Sequence, residues 1–599
     1  MPLPDQAPSA LGPWNPGVES QIPARLLPLS TVYRTEHVTT PLAHAQELAD
    51  LTGLPPTELV VFRPERLVLH ELLVRVTANV SVPDGERIED LGISFRQRAR
   101  TLLERHVEPR MEELVAAYGE VRRRVDEIVA RELEPLFTNR VQDTQPQRAS
   151  LLSRWLGRPA AREPATEKSS PDAALTDWSA RARTSTDPAE RAAFHALHRT
   201  VSAVMVRHGA LWGDGSAIAA VASSLAANQA GSDALGAMLE PLVARGAAAE
   251  GFSLLPRQDA PVVMNTKGPS AAGKSTMRPL QKALAGRIGV RWSEFAVISP
   301  DIWRKLLLDY ASLGPDYRYA GAFTGDELHI VDRKLDRYMA HRAARGETTH
   351  LLIDRFRFDS FAPDSDEAGS NLLTRFGQIV YLFFLVTPPA ALVERAWNRG
   401  LDVGRYKAVD DTLAHAVEAY SGMPQLFFTW VARTDKRVHF EFLDNTVARG
   451  APPRTAAFGW NDTLHVLDVG CLLDIERFRK LDVDAHAPEA LYPDPSLLAP
   501  ERNTAFLATC VTRFRTVDFV EQATGRAYLR VVGGKPVWAN TALLARALAD
   551  PDTRAGIAAA VPAALSAAEV IAGPPQALPP GERIHTVGDW GGGVTAVVT

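Results

Sequence analysis

The fold class is decided by a nine-residue stretch, Gly268-Pro269-Ser270-Ala271-Ala272-Gly273-Lys274-Ser275-Thr276. Its pattern of glycine, four residues, glycine, lysine and serine is typical of a loop that wraps around nucleotide phosphates. The glycines let successive backbone N–H groups point at phosphate oxygens, and a following helix adds the positive end of its dipole. We expect all nine residues to contact ATP, with Lys274 at the β- and γ-phosphates and the Ser275 hydroxyl on Mg²⁺.

The residues around this loop alternate between strand-like and helix-like patterns. A short apolar strand is predicted before it at 261–266, and a helix after it at 275–286. Further strands are predicted at 295–299, 350–354, 378–386 and 438–443, and further helices at 301–312, 326–345 and 388–400. Apolar strands that alternate with helices indicate a parallel sheet inside a three-layer α/β domain. The sequence therefore predicts a P-loop kinase domain over residues 258–450.

Two aspartates stand where predicted strands end, which is where open parallel sheets bind their ligands. Asp301 follows the second strand, 27 positions after Lys274, and a carboxylate there can accept the proton of an attacking hydroxyl. Arg304 lies one helical turn further on and could hold an anionic group of the substrate. Asp354 ends the third strand, a position that binds Mg²⁺ directly or through water. For both aspartates the alternative interpretation is a helix cap or a turn.

Arginines follow the fourth strand, and phosphoryl transfer needs cations against the γ-phosphate, often on a closing lid. Arg395 and Arg399 are four positions apart and share a helix face, and Arg405 comes shortly after them. The alternative is an ordinary solvated basic helix. The sequence Asp444-Asn445-Thr446 after the fifth strand is a candidate loop on the adenine side of the site.

At these residues, the segment 258–450 resembles the zeta-toxin and polynucleotide-kinase branch of P-loop kinases. The resemblance rests on the phosphate loop, Asp301 with Arg304, the Ile353-Asp354 strand end, the lid arginines and Leu443-Asp444-Asn445. It implies that Asp301 is the catalytic base and that Arg395 or Arg399 binds phosphates. Within the branch the chain is most similar to a zeta-toxin-fold type III effector that phosphorylates the adenosine-ribose 3′-hydroxyl of NAD. That narrower likeness rests on the spacing from Lys274 to Asp301 and on two stretches, Gly404-Arg405-Tyr406-Lys407 and Gly422-Met423-Pro424.

The resemblance implies a toxin or effector that phosphorylates a nucleotide-type metabolite, with NAD favoured and UDP-N-acetylglucosamine next. We expect Arg304, Arg355 and Arg357 to hold a pyrophosphate and Glu327 to hydrogen-bond a sugar hydroxyl. The aromatic residues Tyr317, Tyr319 and Phe323 could stack on a base, or belong to the core. Two alternative functions remain: a polynucleotide 5′-hydroxyl kinase, and a non-enzymatic nucleotide-gated module that binds partners. An antitoxin or a secretion chaperone would be a natural partner.

The chain outside the kinase segment divides by composition. Residues 1–30 are rich in Pro, Ser and Gly and are predicted to be disordered, 31–140 to be mixed and helical, with strand-like patches over 56–82, and 141–188 to be a linker. Residues 189–257 are predicted to be helical and 451–599 to be a small mixed α/β region. An apolar stripe runs along the second segment through Val107, Met111, Leu114, Tyr118, Val121, Val125 and Ile128. It predicts either a coiled-coil partner surface or packing against the protein's own helices.

Overall composition limits the other possibilities. The 599 residues carry 66 Lys and Arg against 71 Asp and Glu, a formal net charge of −5, which is unlike a nucleic-acid binder. Two cysteines form neither a metal pattern nor a disulfide framework. We see no signal peptide and no apolar run long enough for a bilayer. We therefore expect a soluble cytoplasmic protein, or one secreted into another cell by a route that reads no signal peptide, with no membrane partner.

Overall fold

The computed structural model describes residues 11–143, 170–355, 376–565 and 571–590. The chain divides into two compact units, which we call the helical unit and the sheet unit. The helical unit comprises Ala24–Val76 and Arg98–Gly251, and the sheet unit comprises Met1–Pro23, Thr77–Gln97 and Phe252–Thr599. Both units are therefore discontinuous in sequence, which the division into consecutive segments did not predict.

Seven described helices form or border the helical unit. They are α1 (Leu42–Thr52), α2 (Pro64–Asn79), α3 (Asp90–Leu102), α4 (Met111–Asp143), α5 (Pro171–Thr184), α6 (Pro188–His208) and α7 (Gly215–Ala249). The predicted apolar stripe lies on α4 and just before it, and Leu114 and Val125 are fully buried. A Cβ built at Gly231 of α7 would lie 2.6 Å from the Tyr118 ring, so the two helices approach closely. The stripe is thus packed against the unit's own helices.

Three of the predictions for the N-terminal part need correction. Within the predicted linker 141–188, residues 144–169 lie outside the described residues. The rest of it is largely helical, since α5 begins at Pro171. The helix starts there because Ser170 caps it and proline is favoured in the first turn. The strand-like region 56–82 is mostly the helix α2, whose apolar run is buried all round. Of the predicted disordered N-terminus, residues 1–10 lie outside the described residues, whereas the chain from residue 11 onwards is placed, with the Pro16 carbonyl accepting from Arg318 at 2.8 Å.

The sheet unit is built on five parallel strands. These are β1 (Val262–Lys267), β2 (Phe295–Ile298), β3 (His350–Asp354), β4 (Ile379–Val386) and β5 (Arg437–Asp444). Their spatial order is β2-β3-β1-β4-β5, and every neighbouring pair is parallel. The predicted α/β class with a parallel sheet is confirmed for this part. All five strands end at the same edge of the sheet, which we call the carboxyl edge.

The helices that connect these strands are α8 (Arg278–Arg287), α9 (Arg304–Leu307), α10 (Ala320–Phe323), α11 (Gly325–Ala344), α12 (Pro389–Val403) and α13 (Val409–Val431). The predicted helix 275–286 begins later than expected. Lys274–Met277 is a 3-10 turn and the α-helix starts at Arg278, because Pro279 has no N–H to donate to the Ser275 carbonyl. The predicted helix 301–312 is likewise broken into short 3-10 and α segments.

The sheet continues past residue 450 rather than ending there. It adds β6 (Arg454–Trp460), β7 (Thr463–Val466), β8 (Thr516–Glu521), β9 (Arg526–Val532), β10 (Lys535–Ala539), β11 (Ile571–Ala572) and β12 (Gln576–Ala577), with both parallel and antiparallel pairs. The described α-helices of this part are α14 (Val469–Arg477), α15 (Ala505–Arg513), α16 (Thr541–Ala547) and α17 (Pro551–Ala560) between the strands, and α18 (Pro580–Arg583) after β12. Because β5 pairs with β6, the predicted boundary between 258–450 and 451–599 falls inside one mixed sheet. A turn at Gly533-Gly534 joins the antiparallel strands β9 and β10.

Candidate functional site

The glycine-rich loop follows the central strand β1 at the carboxyl edge and has a tightly constrained backbone. Gly273 has a φ of 92°, and Ala271 is the one non-glycine residue with positive φ, 65°, in the described part of the chain. A Cβ on Gly268 would lie 3.2 Å from the Leu385 carbonyl oxygen, so the close approach to β4 requires glycine there. A non-glycine residue held in a left-handed conformation is costly and is often found at ligand sites.

Lys274 lies over the loop that precedes it. Its ammonium donates to the carbonyls of Gly268 at 3.2 Å and Pro269 at 3.0 Å. Burial lowers the pKa of Lys274, and the carboxylates of Asp354 and Asp301 partly counteract that shift. The ammonium is therefore next to the mouth of the loop and electrostatically coupled to both predicted aspartates.

Ser275 and Asp354, the two predicted Mg²⁺ ligands, are in direct contact. The Ser275 hydroxyl donates to Oδ2 of Asp354 at 2.6 Å, and the Ser299 hydroxyl lies 3.4 Å from the same oxygen. The pair forms because Asp354 is aligned with Thr266 across β1 and β3, at the strand ends beside the loop. A hydroxyl and a carboxylate are the hard oxygen ligands that suit Mg²⁺, which typically takes one or two protein ligands and completes its shell with water and phosphate. The residues present thus fit this ion.

Asp301 is held by two arginines from different parts of the sheet unit. Arg304 Nε donates to Oδ1 at 2.9 Å, and Arg405 lies 2.6 Å from Oδ2. Burial alone would raise the pKa of Asp301, but Arg405 and Arg304 outweigh it and hold that pKa well below its usual range. The carboxylate is therefore ionised at neutral pH and can accept a proton. The alternative role as a helix cap is not seen, since Ser299 occupies the cap position of the following turn.

Further cations surround this carboxylate. Burial, followed by the charge of Arg405, lowers the pKa of Arg399 to about 9, and the Nε of Arg399 is buried without a hydrogen-bond partner among the described residues. Burial also lowers the pKa of Lys407 to about 7, and its amine lies 2.5 Å from Nδ1 of His415. We call Lys274, Arg304, Arg399, Arg405 and Lys407 the cation cluster. Its five cationic side chains outnumber the three neighbouring carboxylates, which are Asp301, Asp354 and Asp411, the last lying 3.6 Å from Lys407.

The predicted arginines Arg304 and Arg395 differ in what their side chains contact. Arg304 also donates to the Gly321 carbonyl and the Thr324 hydroxyl, both at 2.6 Å, so it fixes Asp301 in place rather than facing open space. Arg395 donates to the Asn445 carbonyl at 2.8 Å, and Asn445 in turn donates to the Ala272 carbonyl at 2.7 Å. Arg395 thus braces the phosphate loop from the predicted adenine side instead of joining the cation cluster.

The predicted substrate residues are placed mostly in the interior. Arg355 is buried in a cluster with Asp332 and Asp336, at 2.6 and 2.5 Å, and Glu327 on α11 is fully buried. Separating a buried ion pair leaves buried charges without compensation, so the predicted contacts of Arg355 and Glu327 with a substrate would require rearrangement. Arg357 lies outside the described residues. Of the three aromatic candidates, Phe323 is core and Tyr319 stacks on it with ring centres 5.9 Å apart, whereas Tyr317 is exposed.

The sequence predicts no specific contact for Arg405 and does not place Lys407 or His415 in the site. The signal was present in Gly404-Arg405-Tyr406-Lys407, where two cations flank an aromatic residue in the short segment between α12 and α13. Tyr406 anchors this segment, because its ring packs where Gly400 of α12 has no side chain and the Arg318 guanidinium lies 4.6 Å above the ring centre. Because Tyr406 is fixed between them in the sequence, Arg405 is held near Asp301 and Lys407 near Arg405.

No protein-family model, curated protein or solved structure matches the chain. The geometry above is therefore the main basis for a functional assignment. In the part of the chain that the structure describes, every helix is too short or too polar to traverse a bilayer.

Proposed function

We propose that this chain is an ATP-dependent P-loop kinase that transfers the γ-phosphate to a hydroxyl group. The main observation behind the proposal is that three features lie together at the carboxyl edge of the sheet. These are the strained glycine-rich loop with Lys274, the Ser275–Asp354 pair, and an ionised Asp301 electrostatically coupled to Lys274 and the cation cluster. The strand order, with the loop after the central strand and Asp301 after the outermost one, supports the same fold assignment.

Each group then has a chemical role. The loop N–H groups and Lys274 bind the β- and γ-phosphates, and Arg399 and Arg405 neutralise the charge on the phosphoryl group in transit. Asp301 accepts the proton of the attacking hydroxyl while a new O–P bond forms and the bond to the β-phosphate oxygen breaks. Ser275 and Asp354 would hold Mg²⁺, which neutralises phosphate charge when bound.

We propose a nucleotide-type metabolite as the acceptor, with a ribose or sugar hydroxyl on a diphosphate-linked nucleotide. Two things support this: the resemblance to zeta toxins, and the excess of cations around Asp301, because arginine forks suit a pyrophosphate. NAD ranks ahead of UDP-N-acetylglucosamine, and a toxin or effector role would follow. The net charge of −5 argues against a polynucleotide acceptor.

The direct test is to incubate the full-length chain with γ-labelled ATP and, separately, NAD, UDP-N-acetylglucosamine and a 5′-hydroxyl oligonucleotide. We expect label in the NAD product, which would have the mass of NADP, migrate apart from it and fail with ordinary NADP-dependent enzymes. Label in the oligonucleotide alone would favour the polynucleotide kinase. Nucleotide binding with no transfer to any acceptor, including a metabolite extract, would favour the non-enzymatic module.

A further inference from the structure

Asp301 has two arginine partners that differ in how firmly they are fixed. Arg304 is three positions away, its side chain is 14% exposed, and two further acceptors hold its guanidinium. Arg405 reaches Asp301 from the segment between α12 and α13, its side chain is 25% exposed, and Asp301 itself is 42% exposed. The pair with Arg405 is therefore the more solvent-accessible of the two, and ion pairs in contact with solvent separate at a smaller cost in free energy than buried ones.

The surroundings of Arg405 favour a second anionic partner. The charge of Lys407 is partly offset by Asp411, 3.6 Å away. Burial is the largest cause of the lowered pKa values of Arg399 and Lys407, and the charge of Arg405 lowers both further, so these cations repel one another beside Asp301. Such repulsion is relieved when a polyanion enters, and a terminal phosphate offers more acceptor oxygens and more charge than Asp301 does. The Nε of Arg399 is buried without a hydrogen-bond partner among the described residues, so it is a further donor that a phosphate oxygen could satisfy.

We propose that Arg405 exchanges partners, binding Asp301 in the nucleotide-free protein and the γ-phosphate of ATP in the complex. The inference rests on the proposed function. With ATP absent, Arg405 covers one carboxylate oxygen of the base. When the γ-phosphate draws Arg405 away, Asp301 keeps only Arg304 and has an oxygen exposed for the acceptor hydroxyl. The base would thus be released only when a phosphate is present to be transferred, and Arg405 acts as a positioning residue for Asp301 before it contacts the phosphate.

The exchange predicts a specific change in ATP affinity that would not occur if Arg405 stayed paired with Asp301. In the wild type, ATP must compete with Asp301 for Arg405, whereas ADP has no γ-phosphate and does not compete. Replacing the carboxylate by an amide removes the competitor. Asp301→Asn should therefore bind ATP about two- to fivefold more tightly than the wild type, the range expected from an exposed ion pair, with ADP affinity unchanged.

The experiment is a double-mutant cycle by calorimetry on the full-length chain, with ATP and ADP titrated in the presence of Mg²⁺. The variants are Asp301→Asn, Arg405→Gln and the double variant. Asp402→Asn is the matched control, because Asp402 pairs with Arg449 at 2.6 Å on the surface of the same unit. Thermal melting checks that each variant folds. Arg405→Lys serves as a second variant that keeps the charge, and a smaller gain of the same sign is expected in its background.

We expect the ATP-specific gain of Asp301→Asn to vanish in the Arg405→Gln background, and Asp402→Asn to bind like the wild type. A gain that persists without Arg405 would mean simple repulsion between the carboxylate and the γ-phosphate, and would overturn the exchange. Equal effects on ATP and ADP would overturn it as well. A wild-type chain that binds neither nucleotide would overturn the proposed function itself, which is a distinct outcome.

Discussion

At the scale of single residues, the proposed role of Asp301 is to accept the proton of the attacking hydroxyl. A change at this residue should therefore affect turnover much more than ATP affinity. Asp301→Asn preserves the shape of the side chain but cannot accept a proton at neutral pH. We expect turnover to fall by roughly 10²–10⁴ while ATP affinity stays within a few-fold of the wild type. Steady-state kinetics and nucleotide titration measure the two quantities. Wild-type turnover in this variant would show that Asp301 is not the base.

The two arginines of α12 should behave differently although they are four positions apart. Arg399 lies in the cation cluster, so Arg399→Ala should slow transfer by tenfold or more and leave ADP binding nearly unchanged, because ADP lacks the γ-phosphate. Arg395 braces the phosphate loop through Asn445, so Arg395→Ala should weaken ATP and ADP binding alike. If both variants lose ADP binding equally, the two arginines share one role.

Local patterns predicted the phosphate loop, Asp301 and Asp354, because each stands at a fixed offset from a strand end. They could not predict the distribution of the arginines. Arg355 is next to Asp354 in sequence, yet it is buried against Asp332 and Asp336 of α11, which precede it by 23 and 19 positions. Arg405 reaches Asp301 across about a hundred positions, and only the packing of α12 and α13 brings them together.

At the scale of elements, the segment between α12 and α13 depends on the fit of one ring against one glycine. A Cβ built at Gly400 would overlap the Tyr406 ring, so Gly400→Ala must displace Tyr406 and with it Arg405 and Lys407. We expect turnover to fall at least tenfold and the free energy of unfolding to drop by about 1–3 kcal/mol.

The matched control is Gly286→Ala in α8, where a Cβ meets nothing within 4 Å. Alanine there should keep full activity and gain up to about 1 kcal/mol of stability from helix propensity. Kinetics and urea unfolding measure both variants. Unchanged activity in Gly400→Ala would show that the position of Tyr406 does not matter for the site.

Helix and strand patterns mislead where burial is complete. The sequence of helix α2 has strand-like stretches because its apolar residues are buried on every side, so its hydrophobic pattern shows no 3.6-residue period. The start of α8 was misplaced for a different reason, since the effect of Pro279 falls on a hydrogen bond four residues earlier. The strongly periodic helix α11 was predicted within a residue at each end.

At the scale of the whole molecule, Glu441 ties the C-terminal segment to the sheet. Burial raises the pKa of this β5 carboxyl to about 7 from 4.5, although it accepts from Thr455, Val587 and Gly588. Because the folded state holds the proton more tightly, this group stabilises the fold below pH 4.5, and its contribution is lost as pH rises to about 7.

We therefore expect the wild type to lose on the order of 2–3 kcal/mol of stability relative to Glu441→Gln as pH rises through that window. The shifted histidines His439 and His585 act in the opposite direction but are present in both proteins, so they cancel in the difference. Urea unfolding between pH 4.5 and 8 measures it. Parallel stability curves for the two proteins would contradict a titrating Glu441.

The continuity of the sheet explains why the predicted domain boundary at residue 450 does not coincide with the end of the sheet. The strand and helix patterns weaken after about residue 455. The pairing of β5 with β6 nevertheless crosses the predicted boundary, and Phe427 of α13 packs against Phe506 and Phe514 of the C-terminal part. Contacts so distant in sequence leave no local pattern. The same holds for the segment Thr77–Gln97, which belongs to the sheet unit although both of its flanking segments in the sequence belong to the helical unit.

The most direct measurement of the central claim is the transfer of γ-labelled phosphate from ATP by the wild type, Lys274→Ala and Lys282→Ala, with a metabolite extract as acceptor. Lys282 is an exposed lysine of α8 that pairs with Asp84, so it is the matched control. The account predicts labelled product with the wild type and Lys282→Ala, and none with Lys274→Ala, which should still fold. Full transfer by Lys274→Ala at saturating ATP would contradict it.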